Sequence, residues 1–358
     1  MRVVVLGASG NVGTAVLAAL IGDPAVDKIR AVARRIPDEP APGVEWVRAD
    51  IRTDDLAPIC AGADAVVHLA WMMQPMHAPL DTWRGNVTGT ERVLRAVAAS
   101  SVTALVYTSS VGAYSPRADL RPVTESWPTD GRPTAAYTRE KAYVERLLDT
   151  FEWEHPGCRV VRLRPAFVFQ RAAAAEQRRL FLGPFFPNRL LRTGAIPVLP
   201  LPARLTMQAV HATDVAAAVR AALTREVGGP FNLAAEPVLD RDRLAEVFGA
   251  RPITVPDRLF QGAVAAAWGL RLAPAAPELF AAFLRLPVLD SGRAAAELRW
   301  RPRYTAVEAL RELIDGLRDG AGGPTPALAT DAGGRWRWRE LRSGIGGYDP
   351  VDREPVAN

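Results

Sequence analysis

Arg2-Val3-Val4-Val5-Leu6-Gly7-Ala8-Ser9-Gly10-Asn11-Val12-Gly13 opens the chain and decides how the rest is read. The β-branched run from Arg2 to Leu6 predicts a buried strand. It passes directly into a turn with glycines at 7, 10 and 13, and then into an Ala/Leu-rich helix over about Thr14 to Leu20. Such a turn lets backbone N–H groups approach a pyrophosphate, and the start of the helix adds favourable partial charge. Gly7, Ser9, Gly10, Asn11, Val12 and Gly13 are therefore candidate cofactor-binding residues. The spacing is Gly-x-x-Gly-x-x-Gly, not the Gly-x-Gly-x-x-Gly of most dinucleotide fingerprints. Its place between a strand and a helix is what gives it weight.

Of the 44 basic residues only Lys28 and Lys141 are lysine. Lys141 stands four residues after Tyr137 in Tyr137-Thr138-Arg139-Glu140-Lys141, so on a helix the two share a face. A nearby ammonium lowers a phenol's pKa from about 10. Tyr137 is thus predicted to exchange a proton with a substrate hydroxyl or carbonyl oxygen near neutral pH. The alternative is a solvated helix face with a chance spacing.

With these two pieces the chain resembles the extended short-chain dehydrogenase/reductase family, also called the NAD-dependent epimerase/dehydratase family. Further stretches similar to the family follow in order: Asp50-Ile51 after the third predicted strand, His68-Leu69-Ala70, Asn86-Val87-Thr88-Gly89-Thr90, Val106-Tyr107-Thr108-Ser109-Ser110, Arg164-Pro165, Val210 to Val215, and Leu289 to Pro302. The resemblance implies a Rossmann-type α/β fold, a doubly wound parallel sheet with a smaller, discontinuous C-terminal substrate-binding lobe. It implies that Asp50 and Ile51 lie near the adenine, and that Leu69, Ala70, Pro165 and Val168 line the cofactor. The family's catalytic serine precedes a tyrosine by four residues, as Ser110 precedes Tyr114, so Ser110 is placed beside Tyr137. Adjacent strand residues face opposite ways, and Ser109 is the structural alternative. By the same resemblance Lys141 also hydrogen-bonds the nicotinamide ribose and Asn86 supports the proton path.

At 358 residues, 49% of them hydrophobic, the chain suits a globular protein of one large or two smaller domains. Strand–helix alternation predicts a dinucleotide-binding domain over 1–165 plus about 208–234, and a substrate lobe over about 166–207 plus 235–318. From Gly320 to the end Gly, Pro and Arg dominate, which predicts a tail that is partly disordered or wrapped over the surface. Its Arg335-Trp336-Arg337-Trp338-Arg339 is expected to pack its tryptophans on its own chain or on a second copy in a homodimer. Two cysteines and four scattered histidines offer neither a disulfide framework nor a metal site. No leader precedes the first strand and no run approaches the roughly 18 apolar residues of a membrane span, so a cytoplasmic location is expected. A net charge of +5 is modest, and neither nucleic acid nor membrane is an expected partner; a small-molecule substrate is.

NAD enzymes of this shape end the second strand with an acid on the ribose 2′-hydroxyl. Here the strand reads Ile29-Arg30-Ala31-Val32-Ala33-Arg34-Arg35. The acid is missing, and Arg34 and Arg35 suit a 2′-phosphate, which predicts NADP over NAD. The family's dehydratases carry an acid just after the catalytic hydroxyl, where this chain has Val111 and Gly112, so dehydration is disfavoured. An alcohol/ketone oxidoreductase is the first reading and a sugar-nucleotide epimerase the second. A third is a cofactor-sensing regulator, against which Ser110, Tyr137 and Lys141 stand together. Trp71-Met72-Met73-Gln74-Pro75-Met76 holds three of five methionines and predicts an adaptable apolar wall for a non-sugar substrate; packing between lobes is the alternative. Phe169-Gln170 departs from the family's usual Tyr-Gly.

Overall fold

Val3, Val4, Val5 and Leu6 are all buried, as a strand with helices on both faces requires. The computed structural model describes residues 1–191 and 196–352. Its first six strands are β1 (Arg2–Leu6), β2 (Lys28–Ala33), β3 (Val44–Arg48), β4 (Ala65–His68), β5 (Ala104–Thr108) and β6 (Arg159–Pro165). After them come β7 (Phe167–Phe169), β8 (Val198–Pro202), β9 (Thr206–His211), β10 (Gly229–Leu233), β11 (Ala235–Asp240) and β12 (Arg251–Val255). The first six and β10 form one parallel sheet in the order β10-β6-β5-β4-β1-β2-β3. The strand order reverses between β1 and β4, so a crevice opens at the carboxyl ends of these two strands, where open α/β sheets bind ligands.

Both faces of the sheet are covered. On one, Val16, Leu17 and Leu20 of the helix Asn11–Leu20 share a core with Val215, Val219 and Ala222 of the helix Ala212–Thr224. On the other, Val93 and Val97 of the helix Gly89–Ala98 meet Val144, Leu148 and Phe151 of the helix Ala136–Glu154. A second sheet, β11-β9-β7, lies beyond the carboxyl end of β6. It packs on Leu310, Leu313, Ile314 and Leu317 of the helix Ala306–Asp319, which begins with a capping box between Thr305 and Glu308. β8 and β12 pair separately. No helix among the described residues is long and apolar enough to cross a membrane.

The segment 320–352, which lacks apolar periodicity, is held largely by polar contacts. Thr325 Oγ1 donates to the Ser9 carbonyl at 2.6 Å, Arg178 forms a buried ion pair with Glu340, and Tyr348 Oη donates to Asp81 at 2.6 Å. Leu328 is its fully buried apolar anchor. Trp336 and Trp338 are 85% and 65% exposed, so the expectation that they pack on their own chain is corrected. The arginines do the anchoring, with Arg337 donating to the Phe186 carbonyl at 3.1 Å. Residues 353–358 lie outside the described residues.

Candidate active site

The turn after β1 is shaped by close approach. Gly7 has φ +82°, and a Cβ there would lie 2.6 Å from the backbone nitrogen of Ala70. A Cβ at Gly10 would meet only the Gly7 carbonyl, at 3.7 Å, so the turn is open on its cleft side. No side chain caps the helix that begins at Asn11, which leaves its first N–H groups for an anion. These residues fit a dinucleotide's pyrophosphate. Ser9, Gly10, Asn11, Val12 and Gly13 line a cavity of about 620 Å³ together with Arg34, Arg35, Leu69, Pro165 and Val168. Asp50, Ile51 and Ala70 line an adjoining cavity of about 140 Å³, where Asp50 accepts from Arg52 Nη2 at 2.6 Å.

The same large cavity reaches Ser110, Tyr137 and Lys141. Ser109 also borders it, but its hydroxyl is committed to Glu145, to which it donates at 2.6 Å. Ser110 accepts from the Gly112 N–H at 2.9 Å, and the Tyr137 ring lies on the other side of that glycine, where a Cβ would fall 2.7 Å from Tyr137 Cε1 and 3.4 Å from Ser110 Oγ. Lys141 is aimed elsewhere: its Nζ donates to Tyr107 Oη at 3.1 Å and to the Thr108 carbonyl at 2.9 Å. It also sits 3.6 Å from the centroid of the Trp71 ring, while Trp71 meets Tyr137 edge-on.

This corrects the expectation that the lysine brings the phenol toward neutral pH. Burial pushes Tyr137 up to about 12, only partly offset by the Ser110 hydroxyl, and burial pushes Lys141 down to about 7 against the pull of Glu145 and Glu140. A shared helix face sets proximity; desolvation sets the protonation state.

Asn86 does not point at Lys141. Its amide donates to the Met72 carbonyl at 2.9 Å and to Glu140 at 2.7 Å, and it accepts from the Met72 N–H at 2.7 Å. It fixes the apolar loop, and the expected part in a proton path is not what these contacts provide. Arg34 is not clear for a phosphate either: Nη2 is paired with Asp352 of the C-terminal segment.

Two side chains that hold the surroundings of the site, Gln170 and Glu145, escaped the sequence reading. Gln170 donates to the Asn11 backbone carbonyl at 2.7 Å and its side-chain oxygen at 2.9 Å, and Asn11 donates to the Val168 carbonyl at 3.0 Å. This ties the glycine turn to β7; the departure at Phe169-Gln170 was the available signal. Buried Glu145 receives Arg164 Nε and Nη2, both at 2.9 Å, and Arg162 Nη1 at 3.2 Å. Burial alone would raise its carboxyl, but the Arg164 hydrogen bond and charge, with Ser109 and Arg162, hold it at about 2.

A doubly wound sheet with a glycine turn, a serine and a Tyr-x-x-x-Lys helix around one cleft defines a class of dinucleotide-binding proteins. The chain belongs to the NAD dependent epimerase/dehydratase family, whose model matches residues 3–234. It is 30% identical over 264 residues to an uncharacterized protein of Mycobacterium tuberculosis, across 71% of this chain and 24% of that one. It thus spans under a quarter of the length of that relative. It is also 30% identical over 175 residues, 47% of this chain and 51% of the relative, to the 4-hydroxy-2-methyl-3-oxo-4-farnesyl-3,4-dihydroquinoline-1-oxide ketoreductase of Stigmatella aurantiaca. Among solved structures, the UDP-glucose 4-epimerase of Thermotoga maritima shares the fold with TM-score 0.67 at 19% identity, over 89% of this chain and 99% of that one.

Proposed function

We propose that the chain is an NAD(P)-dependent oxidoreductase that transfers hydride between the nicotinamide and the carbonyl of an apolar, non-sugar ketone, or the matching alcohol. One observation carries the substrate class. Among the described residues lining the large cavity, the charged ones are Arg34, Arg35, Lys141, Glu176, Asp349 and Asp352. Five of these six cluster with the end of β2 and the C-terminal segment; Lys141 is the sixth. The remaining wall includes Trp71, Met72, Met73, Phe181, Phe280 and Phe283. A buried diphosphate needs charged or multiply donating partners, which this wall lacks. The ketoreductase relative, whose named substrate carries a farnesyl group, supports the same reading.

The cofactor supplies or accepts the hydride when bound. Ser110 would hold the substrate oxygen, and Tyr137, protonated across the neutral range by its burial, would give a proton to that oxygen as negative charge develops. Lys141 holds the Tyr107 hydroxyl and the Thr108 carbonyl beside the site, and the Trp71 ring packs against both Lys141 and Tyr137. Arg34 and Arg35 support NADP, and Arg34 shares its charge with Asp352.

A sugar-nucleotide epimerase is the second reading, favoured by the solved structures that share the fold. The two part in one assay: purified chain with NADPH or NADH, offered aromatic and terpenoid ketones on one side and UDP-hexoses on the other. Net cofactor oxidation with the ketones is the expected result. Interconversion of UDP-hexoses without net cofactor consumption would overturn the proposal in favour of the epimerase.

A further inference from the structure

The end of β2 lacks the acid that usually receives a ribose 2′-hydroxyl, yet a carboxylate stands there, delivered from more than 300 residues along the chain. Asp352 is paired with Arg34 Nη2, and its side chain is 12% exposed. Asp349 lines the same cavity and lies 3.7 Å from Arg179. The other terminal nitrogen of Arg34, Nη1, is buried and has no hydrogen-bond partner among the described residues. The guanidinium is therefore half engaged, by the chain's own acid.

The segment that delivers Asp352 is tied down on both sides of the cleft. Besides the Thr325 bond to Ser9, Arg179 donates to the carbonyls of Ala327 and Ala329, and the His77 N–H donates to the Gly346 carbonyl at 3.0 Å. With these anchors Pro326 and Ala327 come to the cavity beside the glycine turn, and Val351 and Asp352 beside Arg34. The position of the carboxylate follows from the path of the segment.

We propose that Asp352 is a specificity-determining residue for the cofactor, taking the acidic position that β2 leaves vacant and opposing the 2′-phosphate that Arg34 and Arg35 would otherwise attract. A carboxylate accepts a hydrogen bond from a 2′-hydroxyl, but it repels a phosphate and competes with it for the same guanidinium. NADH can bind with the Arg34–Asp352 pair intact, whereas the 2′-phosphate of NADPH meets the Asp352 carboxylate as a like charge beside that pair. The arginines alone would give a strong preference for NADP; with Asp352 in place, discrimination is expected to stay within about tenfold, or 1.4 kcal/mol. This rests on the reading of the chain as a dinucleotide enzyme.

The test is direct binding, followed by nicotinamide fluorescence and calorimetry without substrate. Dissociation constants for NADPH and NADH are measured for the wild type, for Asp352→Asn, for Asp352→Asn combined with Arg34→Ala, and for a chain ending at residue 350. In Asp352→Asn and in the shortened chain, NADPH is expected to tighten at least tenfold relative to NADH, and the gain is expected to vanish in the double variant. The shortened chain keeps the experiment decisive if the substitution misfolds. An unchanged ratio of the two constants, or equal tightening of both cofactors, would overturn the role of Asp352 while leaving the enzyme reading intact. A wild type that binds neither cofactor would overturn the enzyme reading, and this inference with it.

Discussion

Residue 112 has no room for a side chain. A Cβ there would lie 2.7 Å from Tyr137 Cε1 and 3.4 Å from Ser110 Oγ, so the absence of a side chain is what lets the phenol reach the serine. Gly112→Ala is expected to displace the ring and lower kcat by about 10²-fold, since small misplacements of a reacting group cost about that much. Its dissociation constant for the cofactor should stay near the wild-type value, as read by fluorescence titration; a variant with unimpaired kcat would show that the position of the ring is not critical. Lys141 is confined in the same way, between the Trp71 ring, Tyr107 and the Thr108 carbonyl. Lys141→Arg keeps a positive charge but not a compact ammonium. It is expected to lose at least about tenfold in kcat/KM, roughly one charged hydrogen bond; full activity in steady-state assays would contradict this placement.

At the level of elements, Gln170 and Asn11 join the end of β7 to the glycine turn across 159 residues of chain. Gln170→Leu removes two hydrogen bonds to the turn, and it is expected to weaken cofactor binding by about tenfold. Calorimetric titration checks this, and an unchanged dissociation constant would mean that the turn keeps its shape unaided. The same contact marks the boundary of what sequence can reveal. β1, the turn and the first helix were legible because strand, glycine spacing and helix follow one another within 20 residues. The pairing of Tyr137 with Lys141 was legible as a spacing, because a helix puts i and i+4 on one face. The direction of the Lys141 ammonium was not, since Trp71 and Tyr107 come from other elements. Nor was the engagement of Arg34, whose partner Asp352 sits in a Gly/Pro/Arg-rich segment without periodicity. Of the two expectations for the tryptophans at 336 and 338, packing on their own chain fails for a related reason: composition marks apolar surface but not what the fold has free to cover it.

Across the whole molecule, Glu145 links the helix Ala136–Glu154, which carries Tyr137 and Lys141, to β6 through Arg162 and Arg164. Glu145→Gln leaves two buried guanidinium groups short of a charge and is expected to cost about 3–5 kcal/mol of stability at neutral pH by denaturant titration. The pH dependence has a definite sign. The carboxyl is held at about 2 in the folded chain against an ordinary 4.5, so its stabilisation is complete above the ordinary value and is lost as pH falls through the window down to about 2. The stability gap between wild type and Glu145→Gln should therefore narrow on acidification through that window; a gap that stays constant would contradict the assignment. The central claim is that Tyr137 is the proton donor of a hydride-transfer site. It is tested most directly by single-turnover reduction of a bound apolar ketone by NADPH, comparing the wild type with Tyr137→Phe. Cofactor affinity should be retained in the variant, and the hydride-transfer rate should fall by at least about 10²-fold, the contribution of a positioned acid. A variant that binds NADPH and transfers hydride at the wild-type rate would contradict it.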